Sequence, residues 1–230
     1  MKLRLLDAYC CAGGAGRGYQ RAGFHVTGVD IMPQPRYAGD AFEQRDVLSI
    51  SPDEIRARFD AIHGSPICQG LTALRHAPGT KEHPNLIPAT RALFEASGLP
   101  WIIENVEGAE PWMPGAITLC GSMFEGLESE DAWLRRHRLF MANFPISPPG
   151  PCRHDPERPV GGVYGGHARR RGKRFGGRGT QDRWRDGHRR AMAELMGMDW
   201  ATCSEMSEAI PPAYTEWLGR LLAAEVRRLS

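Results

Sequence analysis

Short runs of unbroken apolar residues alternate along the chain with stretches whose apolar positions recur at helical spacing. Leu3-Arg4-Leu5-Leu6-Asp7-Ala8-Tyr9 and Leu99-Pro100-Trp101-Ile102-Ile103-Glu104-Asn105-Val106 read as strands buried on both faces. Gly23-Phe24-His25-Val26-Thr27-Gly28-Val29-Asp30 is a third, and Phe59-Asp60-Ala61-Ile62-His63-Gly64 is a fourth. Further strands are expected to end at Arg45-Asp46-Val47-Leu48 and to span Ala116-Ile117-Thr118-Leu119-Cys120 and Arg138-Leu139-Phe140-Met141-Ala142. Helices are expected after Gly18 through Tyr19, Ala22 and Phe24, then over 52–59, 85–97 with Gly98 as the stop, 188–197 and 211–229. In the last, Tyr214, Trp217, Leu221, Leu222 and Val226 are spaced for one buried face. This alternation predicts an α/β, Rossmann-like fold with a mostly parallel sheet.

The pattern breaks near Phe144. Pro145, Pro148, Pro149, Gly150 and Pro151 form a linker, and residues 151–190 then hold nine glycines and few large apolar side chains. Such a segment cannot build a core of its own. The expected organisation is therefore an α/β body over 1–144, a short segment over 145–187, and a C-terminal part over 188–230 that returns to the body.

Charge sharpens this division. Net charge is only +2, yet residues 151–190 carry twelve Lys/Arg against four Asp/Glu, leaving seventeen against twenty-three elsewhere. A basic segment on an acidic body suits a polyanionic partner, most simply nucleic acid. Apolar content of 41% and charge of 24% are those of a soluble protein. No apolar run approaches the roughly 20 residues of a membrane span, and Asp7 interrupts the N-terminal apolar segment too early for a signal peptide. The six cysteines have no framework spacing, which fits a reduced, intracellular protein.

Two strand ends carry candidate chemistry. The fourth strand runs through Gly64-Ser65-Pro66-Ile67-Cys68, a turn that delivers one cysteine to a loop, where an α/β fold places a nucleophile. A thiol there is useful because its pKa can be pulled toward neutrality. The first strand leads into Cys10-Cys11-Ala12-Gly13-Gly14-Ala15-Gly16, a glycine-rich turn that lets a ligand approach the backbone, and Asp30 ends the next strand where an acid meets ribose hydroxyls. Residues 72–84 are polar and irregular, suited to a mobile lid. Cys152-Arg153-His154 with His167 is a loose Cys-x-His pair with no second cysteine pair nearby, so no metal site is expected.

Several of these segments together resemble, in order, the DNA (cytosine-5) methyltransferase family. Asp7 to Gly14 resembles its S-adenosylmethionine loop, Ser65-Pro66-Ile67-Cys68-Gln69 its Pro-Cys-Gln nucleophile loop, and Glu104-Asn105-Val106 its Glu-Asn-Val. Arg136-His137-Arg138 is similar to the paired-arginine motif, and Met196-Gly197-Met198 and Ser207-Glu208-Ala209-Ile210-Pro211-Pro212 to the last two motifs. The compact form most resembles phage-encoded members. The chain departs from the pattern at Cys11 (glycine in the family), Ile67 (proline), Leu134 (glutamine) and Glu208 (asparagine).

The resemblance implies S-adenosylmethionine as cofactor, held by Asp7, Tyr9, Gly13, Gly14, Asp30, Ile31, Asp46, Pro66 and Glu208. It implies catalysis by Cys68 adding to cytosine C6, Glu104 at N3/N4, and Arg138 at O2 with Arg136 in support. The partner would be double-stranded DNA, with Gln69, Arg169, Arg170, Arg171, Lys173, Arg174 and Arg178 meeting the polymer. The protein would act as a cytoplasmic monomer, in host cytoplasm if phage-encoded. A recognition segment this short implies a target of no more than about four base pairs. RNA as substrate, a non-catalytic binding protein on the same fold, and methylation as the first step of a larger base modification remain alternatives.

Overall fold

The computed structural model describes residues 2–68, 71, 83–129, 132–164, 167–171 and 188–230, with 167–171 and 188 as backbone only. Seven strands form the main sheet: β1 (Arg4–Ala8), β2 (His25–Asp30), β3 (Ala41–Gln44), β4 (Ala61–Gly64), β5 (Trp101–Asn105), β6 (Ile117–Leu119) and, later in the chain, β9 (Arg138–Ala142). Their order is β3-β2-β1-β4-β5-β9-β6. The first five are mutually parallel, and β9 runs antiparallel to both β5 and β6.

Successive residues of each strand serve two cores. Leu5, Val26, Ala61, Ile102 and Phe140 face one side of the sheet, while Leu6, Val29, Ile62, Ile103 and Met141 face the other. Burial on both sides is what makes these strands continuous apolar runs. The first core is closed by α1 (Gly14–Arg21) and α6 (Pro212–Leu229), the second by α2 (Pro52–Arg58) and α3 (Ile87–Ser97). Helices α1 and α6 touch closely: a Cβ on Gly18 would lie 2.1 Å from Thr215 Oγ1, and that hydroxyl donates to Ala15 O at 2.9 Å.

A second sheet, ordered β11-β10-β8-β7, combines β7 (Glu128–Ser129), β8 (Ala132–Leu134), β10 (Val160–Tyr164) and β11 (His167–Arg171). The glycine-rich segment after the linker thus borrows order from β8, with which β10 runs parallel. Helix α4 (His188–Met196) packs on it, and Gly161 lies so close to Leu195 that an added Cβ would stand 2.6 Å from its methyls.

Several boundaries differ from expectation. The third strand is Ala41–Gln44, not one ending at Leu48; Asp46 instead caps a turn of 3-10 helix over Val47–Ser49. As a half-exposed edge strand it lacks a continuous apolar run. Helix α1 begins at Gly14 and ends at Arg21, with Ala22 as its cap and Phe24 buried beyond it. The short helix α5 (Cys203–Glu208), with a Thr202/Glu205 capping box, was not expected. Among the described residues no helix is long and apolar enough to cross a membrane.

Candidate active site

The chain runs from β1 outward to β3 on one side and from β4 to β5 on the other. The crevice at the carboxyl ends of the strands, beside β1 and β4, is therefore a topological switch point. A cavity of about 520 Å³ opens there. One end is lined by Ser65, Pro66, Ile67, Cys68, Glu104 and Arg138, and the other by Asp7, Tyr9, Gly14, Asp30, Asp46 and Glu208. Exposed apolar side chains Ile31, Met32, Leu48 and Ile67 form its lip.

Glu104 lies near the end of β5 and Arg138 starts the antiparallel strand beside it, so their side chains meet, Arg138 Nε 3.3 Å from Glu104 Oε1. Both are nearly buried, at 8% and 14% side-chain exposure for Glu104 and Arg138. Burial pushes the Glu104 pKa up, against the opposing pull of Arg138, a Ser65 hydrogen bond and Arg136. A carboxyl held this way keeps a proton into a higher pH range than a free glutamate.

A hydrogen-bond chain backs Glu104. Ser65, which hydrogen-bonds the carboxylate, lies 3.1 Å from His63 Nε2, and His63 Nδ1 lies 3.1 Å from the Tyr19 hydroxyl. Burial pushes the His63 pKa down to about 3, so the ring is neutral. With His63 protonated on Nε2, Tyr19 donates to Nδ1, Nε2–H to Ser65, and Ser65 to the Glu104 carboxylate; with the proton on Nδ1 and Glu104 protonated, the donors run the other way. His63, Ser65 and Tyr19 were not singled out from sequence for this role. Only the Ser-Pro turn signalled that something was built here.

The nucleophile loop is tied down from β5: Asn105 Nδ2 donates to Pro66 O at 2.8 Å. Cys68 is half-buried, and burial followed by the nearby Glu104 raises its pKa, with Arg138 and Arg136 pulling the other way. The expected shift toward neutrality is therefore reversed here, because desolvation of the thiolate outweighs the two guanidinium groups.

Arg136 plays a different part from Arg138. It is 1% exposed and donates to Val163 O at 3.0 Å, and to Ser207 O and Ala209 O, both at 2.7 Å. Tyr214 donates its hydroxyl to Arg136 O at 2.6 Å. Burial lowers the Arg136 pKa to about 9, which leaves it charged at neutral pH. The side chain fastens β10 and the 207–209 segment to the strand that carries Arg138, and it does not line the cavity.

At the other end, the loop after β1 is held in strained backbone. Cys11 has φ +45°, Tyr9 +57° and Gly13 +79°. The position where the family pattern has glycine thus demands glycine-like geometry, and Cys11 adopts it at a cost. Asp30 supports that loop, accepting from Cys11 N at 3.1 Å and from Met32 N at 2.9 Å. Gly13 itself packs against Tyr37 and Ala38 and does not line the cavity.

Asp7 is buried, accepts from the Tyr37 hydroxyl at 3.1 Å, and leaves Oδ1 without a partner among the described residues. Burial raises its pKa to about 8, with Asp30 adding to the rise. Burial, Asp30 and Glu205 likewise raise that of Glu208. Carboxyl groups that repel one another in a half-enclosed cavity favour a cationic ligand. Tyr9 OH bonds Thr90 Oγ1 at 2.9 Å, and Asp46 accepts from Leu48 N at 3.0 Å.

Of the residues expected to meet nucleic acid, Arg169, Arg170 and Arg171 lie on β11, paired with Gly162, Gly161 and Val160. Gln69, Lys173, Arg174, Arg178 and most of the expected lid at 72–84 lie outside the described residues.

No family model matches the chain, and no curated protein matches it. Solved structures do. An S. pombe Dnmt2 methyltransferase aligns over 98% of this chain and 99% of its own, at 14% identity and a TM-score of 0.59. An E. coli prophage-encoded protein assigned as a DNA modification methyltransferase aligns over 98% and 99%, at 14% identity and a TM-score of 0.58. The likeness is one of fold. The chain has the mixed α/β, S-adenosylmethionine-dependent methyltransferase fold, with its mostly parallel seven-stranded sheet.

Proposed function

We propose that this protein is an S-adenosylmethionine-dependent DNA cytosine-C5 methyltransferase. The observation that carries the reading is the convergence of Cys68, Glu104 and Arg138 at one end of a single cavity whose other end gathers Asp7, Asp30, Asp46 and Glu208. The likeness to a prophage-encoded protein assigned as a DNA modification methyltransferase and the basic 151–190 segment support DNA as the polymer.

The cofactor end suits its ligand on physical grounds. The unpartnered Oδ1 of Asp7 and the raised pKa values of Asp7 and Glu208 are what a cationic sulfonium and ammonium ligand would relieve. Asp30 and Asp46 would take the ribose and adenine, with Ile31 against the base. Bound S-adenosylmethionine would supply the electrophilic methyl group.

At the other end, the Cys68 thiolate adds to C6 of a cytosine turned out of the duplex, since C6 is out of reach within the stack. The S–C6 bond forms as the ring's C5–C6 π electrons become available at C5. Glu104 gives its proton, or a strong hydrogen bond, to N3, and Arg138 neutralises charge building at O2. After methyl transfer the C5 proton leaves to a base, the C5–C6 double bond re-forms as the S–C6 bond breaks, Cys68 departs as thiolate, and N3 returns its proton to Glu104. Because burial holds the Cys68 pKa up, the thiol must first give its proton to solvent, and the fraction present as reactive thiolate grows as pH rises.

Incubation with labelled S-adenosylmethionine tests the reading. Label is expected in unmethylated DNA and lost in Cys68→Ala. Label in RNA alone would move the assignment to RNA, and label in neither would defeat it.

A further inference from the structure

We propose that the chain binds one structural zinc ion through Cys120, His137, Cys152 and His154, a site outside the catalytic cavity. The sequence pairs Cys152 with His154 but supplies no second pair nearby. The fold does. Cys120 directly follows the short β6 strand, His137 sits between Arg136 and Arg138, and Cys152 and His154 directly follow the proline-rich linker. Their ligating atoms all fall within 4.8 Å of one another.

The distances suit tetrahedral coordination. Cys120 Sγ lies 3.4 Å from His154 Nε2, and Cys152 Sγ lies 3.7 Å from His137 Nε2. Zinc with Zn–S of about 2.3 Å and Zn–N of about 2.0 Å sets neighbouring S···N edges at about 3.5 Å. The two imidazoles stack, ring centroids 5.4 Å apart, so that both Nε2 atoms turn toward the sulfurs.

The surroundings are those of a metal site as well. Glu107 Oε1 lies 3.0 Å from His137 Nδ1, the carboxylate–histidine arrangement that fixes the tautomer leaving Nε2 free to ligate. Ser122 Oγ donates to Cys120 Sγ at 3.3 Å, and Arg153 N donates to Ser122 Oγ at 3.0 Å. Two thiolates neutralise a divalent ion, and an S2N2 set selects zinc over the hard, oxygen-seeking cations. Bound there, zinc would fasten residues 152–154 to the loop that leads into Arg138 and β9, and so fix where the chain leaves the main sheet for β10.

The test is titration of Co²⁺ into chelator-treated, reduced full-length protein, read by absorbance, with zinc content measured on protein as purified. The expected result is one equivalent per chain, with thiolate charge-transfer absorption and the intense visible bands of a tetrahedral centre. Cys152→Ser and His154→Gln should lose that spectrum, and Cys203→Ser and Cys68→Ala should keep it. Glu107→Gln, at a side chain 67% exposed and so tolerant of change, should weaken binding by about 10- to 100-fold. No stoichiometric binding by wild type, or a spectrum unchanged by Cys152→Ser, overturns the proposal.

Discussion

Glu104 and Arg138 form an ion pair 3.3 Å apart inside the cavity, yet burial still raises the Glu104 pKa. The pair is therefore poised between a carboxylate bound to guanidinium and a carboxylic acid able to meet N3 of a base. Glu104→Gln keeps the shape and removes the transferable proton. It should lower the methylation rate by about 10²- to 10⁴-fold with little change in S-adenosylmethionine affinity. Retention of most activity would remove Glu104 from the chemistry.

Ser65 is the one neighbour whose hydrogen bond pulls the Glu104 pKa down without carrying charge. If the acid form of Glu104 is the working form, activity falls as pH rises through its pKa. Ser65→Ala lifts that pKa further, so the alkaline limb of the pH–rate profile should move to higher pH. A limb that stays fixed would assign it to another group.

Asp7 links pH to both stability and binding. Its pKa is about 8 in the folded chain against an ordinary aspartate value of 3.8. Between those values the folded state holds a proton that the unfolded state has released. Asp7 stability is thus full below about pH 4 and is lost as pH rises toward 8, by at most about 1.4 kcal/mol per pH unit. The melting-temperature advantage of wild type over Asp7→Asn should shrink from pH 6 to pH 8. A cationic cofactor prefers the ionised form, so its affinity should rise over the same range in wild type and stay flat in Asp7→Asn, measured by calorimetry.

Arg136 donates to three backbone carbonyls, and its bonds to Val163 O and Ala209 O are buried. Arg136→Met strands those two, and each buried unpaired group costs about 1–3 kcal/mol. A loss of about 2 kcal/mol or more should lower the melting temperature by at least about 4–8 °C. A shift of only a degree or two would mean that 207–209 is anchored by other contacts.

Cys11 offers the opposite sign. At φ +45° a side chain costs about 1–2 kcal/mol that glycine avoids. Part of that is offset by glycine's greater freedom when unfolded. Cys11→Gly should raise the melting temperature by a few degrees; a drop would show that the thiol's packing matters more than the strain.

What the sequence disclosed follows from burial. Strands β1, β2, β4 and β5 are covered on both faces and announce themselves as apolar runs, and their carboxyl ends led to Cys68, Asp30 and Glu104. Strand β10 was hidden because Val160-Gly161-Gly162-Val163 has almost no side chain to pattern; Leu195 fills the space instead. Strands β7 and β8 are too short to show a period. The Tyr19–His63–Ser65 chain and the Cys120–His154 cluster join residues far apart in sequence, so only the folded register reveals them. The thiol's raised pKa was equally invisible, since desolvation depends on what covers Cys68.

The central claim is that Cys68 attacks a cytosine held by Glu104 and Arg138. The most direct measurement is a denaturing gel of the protein incubated with S-adenosylmethionine and DNA carrying 5-fluorocytosine. Fluorine at C5 cannot leave as a proton does, so the enzyme should stay bound to the base as a shifted band, absent in Cys68→Ala. A protein that methylates ordinary DNA yet gives no such band, or a band that persists in Cys68→Ala, would contradict the account.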